Sequence, residues 1–244
     1  MPRHTWTSCW RSASAPRRLP DQPAASAVIA AAGSGERLGA GGPKAFVPLG
    51  GRALLHWSLD AFAEAKSVGA VVVAVPGGAE NRVPDGAAAV AGGASRSESV
   101  AAGLARVESE LVAVHDAARP LVTPELIDDL VEKLIDRPDA AAVIAAAPIT
   151  DTIKRAGEAH EVTETMNRDE LWAVQTPQVF RSAALREALD TDPERIAAAT
   201  DDAMLVEEAG GKVLIHPSSP ENLKVTTRLD LRIAELLLAA REAG

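Results

Sequence analysis

Short hydrophobic runs rich in valine and alanine alternate with segments of helical periodicity from residue 27 onward. The runs predict five strands, at residues 27–32, 70–75, 111–114, 140–147 and 212–216. Runs that are apolar throughout are typical of parallel strands buried on both faces. We therefore predict an α/β fold built on a doubly wound, mostly parallel, Rossmann-like sheet.

Amphipathic segments between these runs predict the helices. They lie at residues 54–65, 96–107 and 124–135, with a C-terminal helix that begins near Thr227 or Asp230. Thr123 stands directly before Pro124, and a threonine N-cap followed by proline at the first helical position is a common helix start.

Residues 148–180 interrupt the alternation with a polar stretch. Short alternating segments around residues 152–154, 162–165 and 171–175 are typical of hairpin strands. We interpret the stretch as an arm that projects from the domain. Because an isolated hairpin is marginally stable in water, we expect the arm to dock on a second subunit, which predicts a homodimer.

Residues 1–26 differ in composition from the rest, with four arginines, one aspartate and the only cysteine, Cys9. They lack the continuous apolar run of a secretory signal. We expect residues 1–26 to be either a disordered extension or the result of a start site assigned too far upstream. One domain then covers residues 27–244. A lone cysteine forms no disulfide within a chain, which fits a reducing compartment, and we expect a cytoplasmic protein.

Charge and aromatic content exclude some partners. The net charge is −9, tyrosine is absent and aromatic residues make up 3% of the chain. An acidic chain with few aromatic faces is unsuited to nucleic acid or an anionic membrane surface, and no apolar run reaches membrane-spanning length. A small anionic substrate stays possible if basic residues cluster locally.

A glycine-rich loop with Gly33, Gly35, Arg37, Gly39 and Lys44 follows the first predicted strand. Glycines let backbone N–H groups approach phosphate oxygens, and the two cations supply matching charge. The spacing G-x-G-x-x-x-G differs from the dinucleotide fingerprint, and the loop lacks the Gly-Lys-Ser/Thr of a Walker A motif. A flexible turn is the other interpretation, but two cations in an acidic chain favour a cradle for a nucleoside triphosphate.

Further motifs follow the loop and its Pro43-Lys44 pair in a fixed order. They are Gly92-Gly93-Ala94-Ser95-Arg96 with Ser99, His115-Asp116-Ala117-Ala118-Arg119, Asp151-Thr152-Ile153-Lys154, Asn167-Arg168, Gln175-Thr176-Pro177-Gln178, Thr200-Asp201-Asp202 and Asn222-Leu223-Lys224-Val225-Thr226. Each motif alone is weak, but their joint order is specific. In this order the chain resembles the 2-C-methyl-D-erythritol 4-phosphate cytidylyltransferases, a family of sugar-phosphate nucleotidyltransferases.

The resemblance implies roles for individual residues. Catalytic roles fall on Arg37, Lys44, Arg168 and Lys224. Nucleotide-binding roles fall on Ala31, Ala32, Gly33, Gly35, Gly93, Arg96, Ser99 and Ala117. Substrate-binding roles fall on Asp116, Arg119, Thr152, Arg168, Lys224 and Thr226. Thr152 and Arg168 would come from the arm of a neighbouring subunit, and Mg²⁺ would be held mainly by the phosphates of CTP.

Local chemistry leaves the role of several residues open. Asp116 could bind the magnesium ion or a substrate hydroxyl, or form an ion pair with Arg119 that fixes a turn. We expect His115 to be structural, because a phosphate nucleophile is already ionised near neutral pH and needs no general base. Asp201 and Asp202 favour the start of a helix that ends at residue 209, where acids complement the helix dipole.

The reaction implied by the resemblance transfers the cytidylyl group of CTP to 2-C-methyl-D-erythritol 4-phosphate. The products are 4-CDP-2-C-methyl-D-erythritol and pyrophosphate, in the non-mevalonate isoprenoid pathway. Cytidylyltransferases for ribitol 5-phosphate or another polyol phosphate share nearly the same motif order and are the nearest alternative. A nucleotide-binding module without activity is the next, and a dehydrogenase would need the glycine spacing that the loop lacks. One departure from the family is Ser218-Ser219, where a glycine is more usual before Asn222.

Overall fold

The structure is a computed structural model that describes residues 23–35, 38–39 and 42–242. The predicted extension therefore lies almost wholly outside the described residues, and so do Cys9 and Arg37. Seven strands form the central sheet: β1 (Ala25–Ala30), β4 (Val68–Val75), β5 (Ala88–Ala91), β6 (Leu111–Asp116), β7 (Ala142–Pro148), β10 (Trp172–Arg181) and β11 (Val213–Pro217). Two small ladders pair β2 (Pro48–Leu49) with β3 (Arg52–Ala53), and β8 (Lys154–Ala156) with β9 (Val162–Thr165).

The strand order in the central sheet is β11-β7-β10-β6-β1-β4-β5. Strand β10 runs antiparallel to both β6 and β7, and the other neighbouring pairs are parallel. The predicted α/β fold with a mostly parallel sheet is confirmed. The parallel strands β1, β4 and β6 lie side by side, so their carboxyl ends meet at one edge.

Seven helices accompany the sheet in the described part of the chain: α1 (Leu54–Glu64), α2 (Arg96–Leu104), α3 (Pro124–Ile135), α4 (Ser182–Leu189), α5 (Pro193–Ala198), α6 (Asp202–Glu208) and α7 (Arg228–Glu242). Apolar residues of α1 and α3 pack with Ile29 of β1 in one core cluster. Those of α2, α4 and α6 pack with the adjacent Val28 in another. Because successive strand residues point to opposite faces, β1 contributes to both clusters.

Helix α7 closes a third, smaller apolar cluster beside the glycine loop. Ala234 and Leu238 of the helix pack there with Leu38 of the loop and Leu121, which follows β6. Leu38 is only 3% exposed, so it anchors the loop to the domain.

The predicted helix starts agree with the structure. Thr123 caps α3 by accepting a hydrogen bond from the Leu126 backbone N–H, and Pro124 follows at the first helical position. Asp201 caps α6 by accepting from the Met204 N–H. Helices α4 and α5 were not predicted from the sequence, and neither was the short strand β5, which is an edge strand of the sheet.

Two predicted boundaries are wrong. Strand β1 begins at Ala25, so the boundary placed between residues 26 and 27 falls inside it; Ala25 already pairs with Leu111 of β6. Residues 171–175, assigned to the arm, mostly belong to β10, which lies between β6 and β7 in the central sheet. Alternation identified a strand there, but a local pattern does not reveal which strand will be its neighbour. The arm is therefore confined to residues 149–171, with the β8–β9 hairpin at its centre.

Within the described residues, the helices are all too short or too polar to cross a bilayer.

Candidate active site

A cavity of about 480 Å³ opens at the carboxyl edge of the sheet. The segments after β1 and β6 form two of its walls, and the loop before α2 forms a third. Most of the residues predicted to bind nucleotide or substrate line it: Ala31, Ala32, Gly33, Gly35, Lys44, Gly93, Arg96, Ser99, Asp116, Ala117, Lys224 and Thr226. Residues up to 195 positions apart in the chain thus converge where ligands of open α/β sheets commonly bind.

The glycine loop has a defined conformation in its described part. The Lys44 N–H donates to the Gly33 carbonyl at 3.0 Å, so the two ends of the loop are tied together. Gly35 has a φ of 75° and lies against the backbone of Gly42 and Lys44, where a side chain would meet atoms at 3.1 Å. The positive φ therefore favours glycine at Gly35, and a side chain there would also crowd the backbone of Gly42 and Lys44.

A capping box fixes the start of α2 at the cavity. Ser95 accepts from the Glu98 N–H, and the Glu98 carboxylate accepts from the Ser95 N–H at 3.0 Å. The Ser99 hydroxyl accepts from the Gly93 N–H at 3.1 Å and donates to the Ser95 carbonyl at 2.9 Å. Ser99 thereby holds the Gly93 loop in place, and its own hydroxyl proton is already engaged.

Four alternating charges, which we call the charge chain, form the centre of the site. Asp202 Oδ2 accepts from Arg96 Nη1 at 2.5 Å, and Arg96 Nε donates to Asp116 Oδ1 at 2.7 Å. The Asp116 Oδ2 atom lies 2.7 Å from Lys224 Nζ. The Asp202 side chain is wholly buried, whereas that of Lys224 is 42% exposed. The charge chain therefore runs from the protein interior to the cavity.

The charge chain also fixes protonation states. Burial opposes ionisation of Asp116, but Arg96 and Lys224 hold the pKa of its carboxyl well below the usual range. Burial raises the pKa of Asp202, and the neighbouring Arg96 guanidinium opposes that rise. Burial lowers the pKa of Arg96, and the two carboxylates more than offset this, so its pKa is raised. Asp116 and Arg96 are accordingly both charged at neutral pH.

A second cavity, of about 390 Å³, shares Arg96, Asp116 and Lys224 with the first. Its remaining polar walls come from Arg119, Gln175, Thr176, Gln178, Thr200, Asp201 and Glu207. Two cavities with different linings therefore meet at the charge chain, which is the arrangement that a reaction between two ligands requires.

Buried amide contacts position the segment that carries Lys224. Asn222 is 3% exposed, and its Nδ2 donates to Gln175 Oε1 at 3.0 Å and to the Thr176 carbonyl at 2.9 Å. The Val225 N–H donates to the Ala118 carbonyl at 2.8 Å. These bonds join the Lys224 segment to β10 and to the turn after β6. The preceding Ser218-Ser219 departure leaves Lys224 within reach of Asp116.

Arg119 lies at this same junction and does not pair with Asp116. Its Nη1 donates to the Asn222 carbonyl at 2.7 Å and its Nη2 to the Val174 carbonyl at 3.3 Å. The alternative of an Asp116–Arg119 ion pair is therefore wrong, because the fold brings Arg96 and Lys224 to the carboxylate instead.

His115 is buried beside the site and stays neutral. Its Nε2 lies 3.2 Å from the Arg119 carbonyl and its Nδ1 lies 3.1 Å from the Thr176 hydroxyl. A carbonyl oxygen only accepts, so Nε2 carries the hydrogen and Nδ1 accepts from Thr176. Burial lowers the pKa of His115 to about 3, against the effect of Asp116. This arrangement agrees with the structural role predicted for the residue.

Comparison with known proteins identifies the family. A family model described as "IspD: 2-C-methyl-D-erythritol 4-phosphate cytidylyltransferase" matches residues 25–240. The chain belongs to the IspD family. A family relative from Rhodococcus jostii is 44% identical over 217 residues, which cover 87% of this chain and 94% of the relative. One from Symbiobacterium thermophilum is 42% identical over 220 residues, which cover 87% of this chain and 92% of the relative.

Solved IspD structures have the same fold. The enzyme from Thermus thermophilus is 37% identical and superposes with a TM-score of 0.74, covering 88% of this chain and 98% of its own. The Anaerococcus prevotii protein is 30% identical with a TM-score of 0.75, covering 90% of this chain and all of its own. The resemblance found in the motifs is therefore confirmed.

Two residues predicted from the IspD resemblance lie outside both cavities. Thr152 and Arg168 are exposed on the arm, where Arg168 Nη1 donates to the Thr150 carbonyl at 2.9 Å. Neither residue lines either of the two cavities described above. Arg37 lies outside the described residues, so its predicted role stays a prediction.

Two buried residues at or behind the second cavity were not predicted as part of the site. Gln178 lines the cavity and donates to Asp201 Oδ2 at 2.8 Å. Asp202 lies behind it and anchors the charge chain. Both belong to motifs that the IspD resemblance rests on, Gln175–Gln178 and Thr200–Asp202. Membership of such a motif was the available signal, but the helix-cap interpretation of Asp202 outweighed it.

The described residues do not fit a magnesium ion held by the protein. They contain no group of three or more His, Cys, Asp or Glu side chains arranged to ligate a metal. Asp116 was one possible ligand beside the phosphates of CTP, and both of its carboxylate oxygens contact cationic groups. A magnesium ion would therefore depend on oxygens that the ligands themselves bring.

Proposed function

We propose that this chain catalyses cytidylyl transfer from CTP to 2-C-methyl-D-erythritol 4-phosphate, releasing pyrophosphate. Membership of the IspD family and the names of its relatives support the substrate pair. The observation that carries the proposal is the meeting of two cavities at the charge chain, one lined by the glycine loop and one by polar side chains. The first cavity would hold CTP and the second the polyol phosphate.

The glycine loop and Lys44 would bind the triphosphate. Gly33, Ser34, Gly35 and Lys44 line the first cavity. Arg37 belongs to the same loop in the sequence, and we assign it to the same task. Positive charge at this point would offset the charge that builds up at the α-phosphorus and on the departing pyrophosphate.

Gly93, Arg96 and Ala117 also line the first cavity. We assign them, with Ala31 and Ala32, to the cytosine and ribose. The capping box at Ser95 and the Ser99 hydroxyl would keep this wall fixed before the nucleotide arrives.

Lys224 would hold the attacking phosphate. In the structure it pairs with Asp116 and is partly exposed in the opening shared by both cavities. A phosphate oxygen of the polyol phosphate attacks the α-phosphorus of CTP, a new P–O bond forms, and the bond to pyrophosphate breaks. No general base is needed, because the second pKa of a phosphate monoester is about 6. Asp116 would be left to accept a hydroxyl of the polyol.

A matrix of nucleotides and acceptors tests this function. The protein is incubated with CTP, UTP or ATP and with methylerythritol phosphate, ribitol 5-phosphate or no acceptor, and pyrophosphate release is followed. We expect the fastest release with CTP and methylerythritol phosphate. Faster release with ribitol 5-phosphate would transfer the proposal to that substrate, and CTP binding without release in any mixture would indicate a binding module.

The arm would complete the polyol-phosphate site of a second subunit. Thr152 and Arg168 are exposed and line neither of the two cavities of their own chain. All four residues of β9 are also exposed. Mixing the Lys44→Ala and Arg168→Ala variants tests this arrangement. Mixed dimers that contain one intact site should recover part of the activity, whereas sites built within one chain would show no recovery.

Magnesium dependence stays a prediction of the family resemblance. The donor set of the described residues does not form a metal site by itself, so we expect any Mg²⁺ to enter with the triphosphate. Without CTP, calorimetric titration with Mg²⁺ should then show no binding stronger than millimolar. Tight binding to the free protein would contradict this.

A further inference from the structure

Asp202 is a buried acid with no role in the mechanism above. It is the first residue of α6 and has no exposed surface. The cap of that helix is Asp201, so Asp202 is not needed to start it. Its Oδ2 instead contacts Arg96 Nη1 across 106 positions of the chain. A buried carboxylate is costly unless it is paired, and the partner of this one is Arg96, which lines both cavities.

The Arg96 guanidinium is divided between two carboxylates. Its Nη1 serves Asp202 while its Nε serves only one oxygen of Asp116, Oδ1. An arginine fork otherwise favours two parallel hydrogen bonds to a single carboxylate. If Asp202 did not hold Nη1, the guanidinium could turn onto both oxygens of Asp116. Lys224 would then share Asp116 Oδ2 with the guanidinium, and its ammonium would be displaced from its present position.

We propose that Asp202 is a positioning residue for cytidylyl transfer, which acts through Arg96 and Asp116 to place the Lys224 ammonium in the opening between the two cavities. The proposal rests on the function proposed above, since it assigns Lys224 to the attacking phosphate. Asp202 lines neither cavity, so it would not touch a ligand bound in either of them.

The kinetic constants separate positioning from binding. Asparagine has the shape of aspartate but only one acceptor oxygen and no charge, so Asp202→Asn weakens the hold on Arg96 Nη1. It leaves Arg96 and Lys224, the cations of the charge chain, in the protein. An anionic acceptor would then bind at least as well, but in a less productive position. The expected signature is therefore a lower kcat with an unchanged or lower KM for the polyol phosphate.

The experiment compares Asp202→Asn with Asp128→Asn, both on their own and combined with Lys224→Ala. Asp128 is a matched control, because its Oδ1 accepts from the Ser67 N–H at 2.9 Å just before β4, at the opposite end of the strands from the site. We expect Asp202→Asn to lower kcat about 100-fold, the size that a displacement of roughly 1 Å in a catalytic group can produce. In the Lys224→Ala background the same change should cost less than about threefold, because coupled residues are not additive. Asp128→Asn should keep the kinetic constants of the starting protein in both backgrounds.

Several results would overturn the proposal. They are wild-type kcat in folded Asp202→Asn, a raised KM at unchanged kcat, or the full loss repeated in the Lys224→Ala background. If Asp202→Asn does not fold, Asp202→Glu is the second test: it keeps the charge and shifts the carboxylate, and wild-type kcat in that variant would also overturn the proposal. The wild-type protein is assayed alongside, so that absence of pyrophosphate release there is recognised as a failure of the proposed function.

Discussion

The carboxyl edge of the sheet and the arm present the predicted site residues in opposite ways. At the edge, Asp116 contacts both Arg96 and Lys224 at 2.7 Å, and Arg96 is also held by the buried Asp202. On the arm, Thr152 and Arg168 are exposed and lie outside both cavities. The edge is organised by contacts within one chain. The arm has a defined hairpin but acquires a site, on our proposal, only beside a second copy.

This contrast follows from how each region is stabilised. Strands β1, β4 and β6 are buried by helices on both faces, so their ends are fixed relative to one another. The β8–β9 ladder is short and its residues are exposed. An isolated hairpin of this kind gains little stability from apolar burial. Rigid support and a free surface are therefore separated in the molecule, and four measurements address the difference.

The largest difference is expected in stability. Leu130 of α3 is fully buried, and Leu130→Ala should lower the free energy of unfolding by about 2–5 kcal/mol. Val162 of the arm is 62% exposed, and Val162→Ala should change it by less than about 0.5 kcal/mol. Urea unfolding at two protein concentrations measures both. A Val162→Ala loss that depends on protein concentration would show that a second copy covers the arm.

The next effect concerns Lys44 in the first cavity at the edge of the sheet. Lys44→Ala should reduce kcat/KM about 100- to 1000-fold if, as we propose, it removes a preorganised cation that offsets charge on the reacting phosphates. The measurement is pyrophosphate release at saturating CTP. Lys212→Ala is the control, since Lys212 pairs with Asp139 in an exposed ion pair at the other end of the strands. Nearly equal rates for the two folded variants would remove Lys44 from the catalytic group.

A smaller and more selective effect is expected on the arm. Arg168→Ala should raise the KM for the polyol phosphate by roughly 10- to 100-fold, the range expected for loss of a hydrogen bond to a charged group. CTP binding, measured by calorimetry, should be unchanged. Arg155→Ala is the matched arm variant, because Arg155 pairs with the exposed Glu164 of the same hairpin. Equal weakening of CTP and acceptor binding by Arg168→Ala would point to a folding role.

The smallest effect is a pH dependence of stability at the edge. Burial lowers the pKa of His115 to about 3, below its ordinary 6.5 in the unfolded chain. Between these values the unfolded state binds the extra proton, so stability is lost as the pH falls from about 6.5 towards 3, by at most about 1.4 kcal/mol per pH unit from this group. Between pH 7 and 5, the free energy of unfolding should therefore depend more steeply on pH for the wild type than for His115→Gln. Identical slopes would contradict a buried neutral histidine.

The sequence by itself predicted the elements whose signals are local. Apolar runs predicted strands β1, β4, β6, β7 and β11, and each predicted end lies within two residues of the observed one. The Thr123-Pro124 pair marked the start of α3. Motif order then identified the family. These signals work because a strand's burial on both faces, or a helix cap, depends on residues that are neighbours in the chain.

The tertiary structure alone decided which of these pieces meet. The sequence placed residues 171–175 in the arm, but pairing with β6 and β7 puts β10 in the central sheet. The sequence offered Arg119 as the partner of Asp116, yet the partners are Arg96 and Lys224, and the buried end of the charge chain is Asp202. Contacts between residues 20 and 106 positions apart follow from strand order and helix packing. A local pattern cannot specify them, because the energy of a charge pair depends on distance and burial in the folded chain.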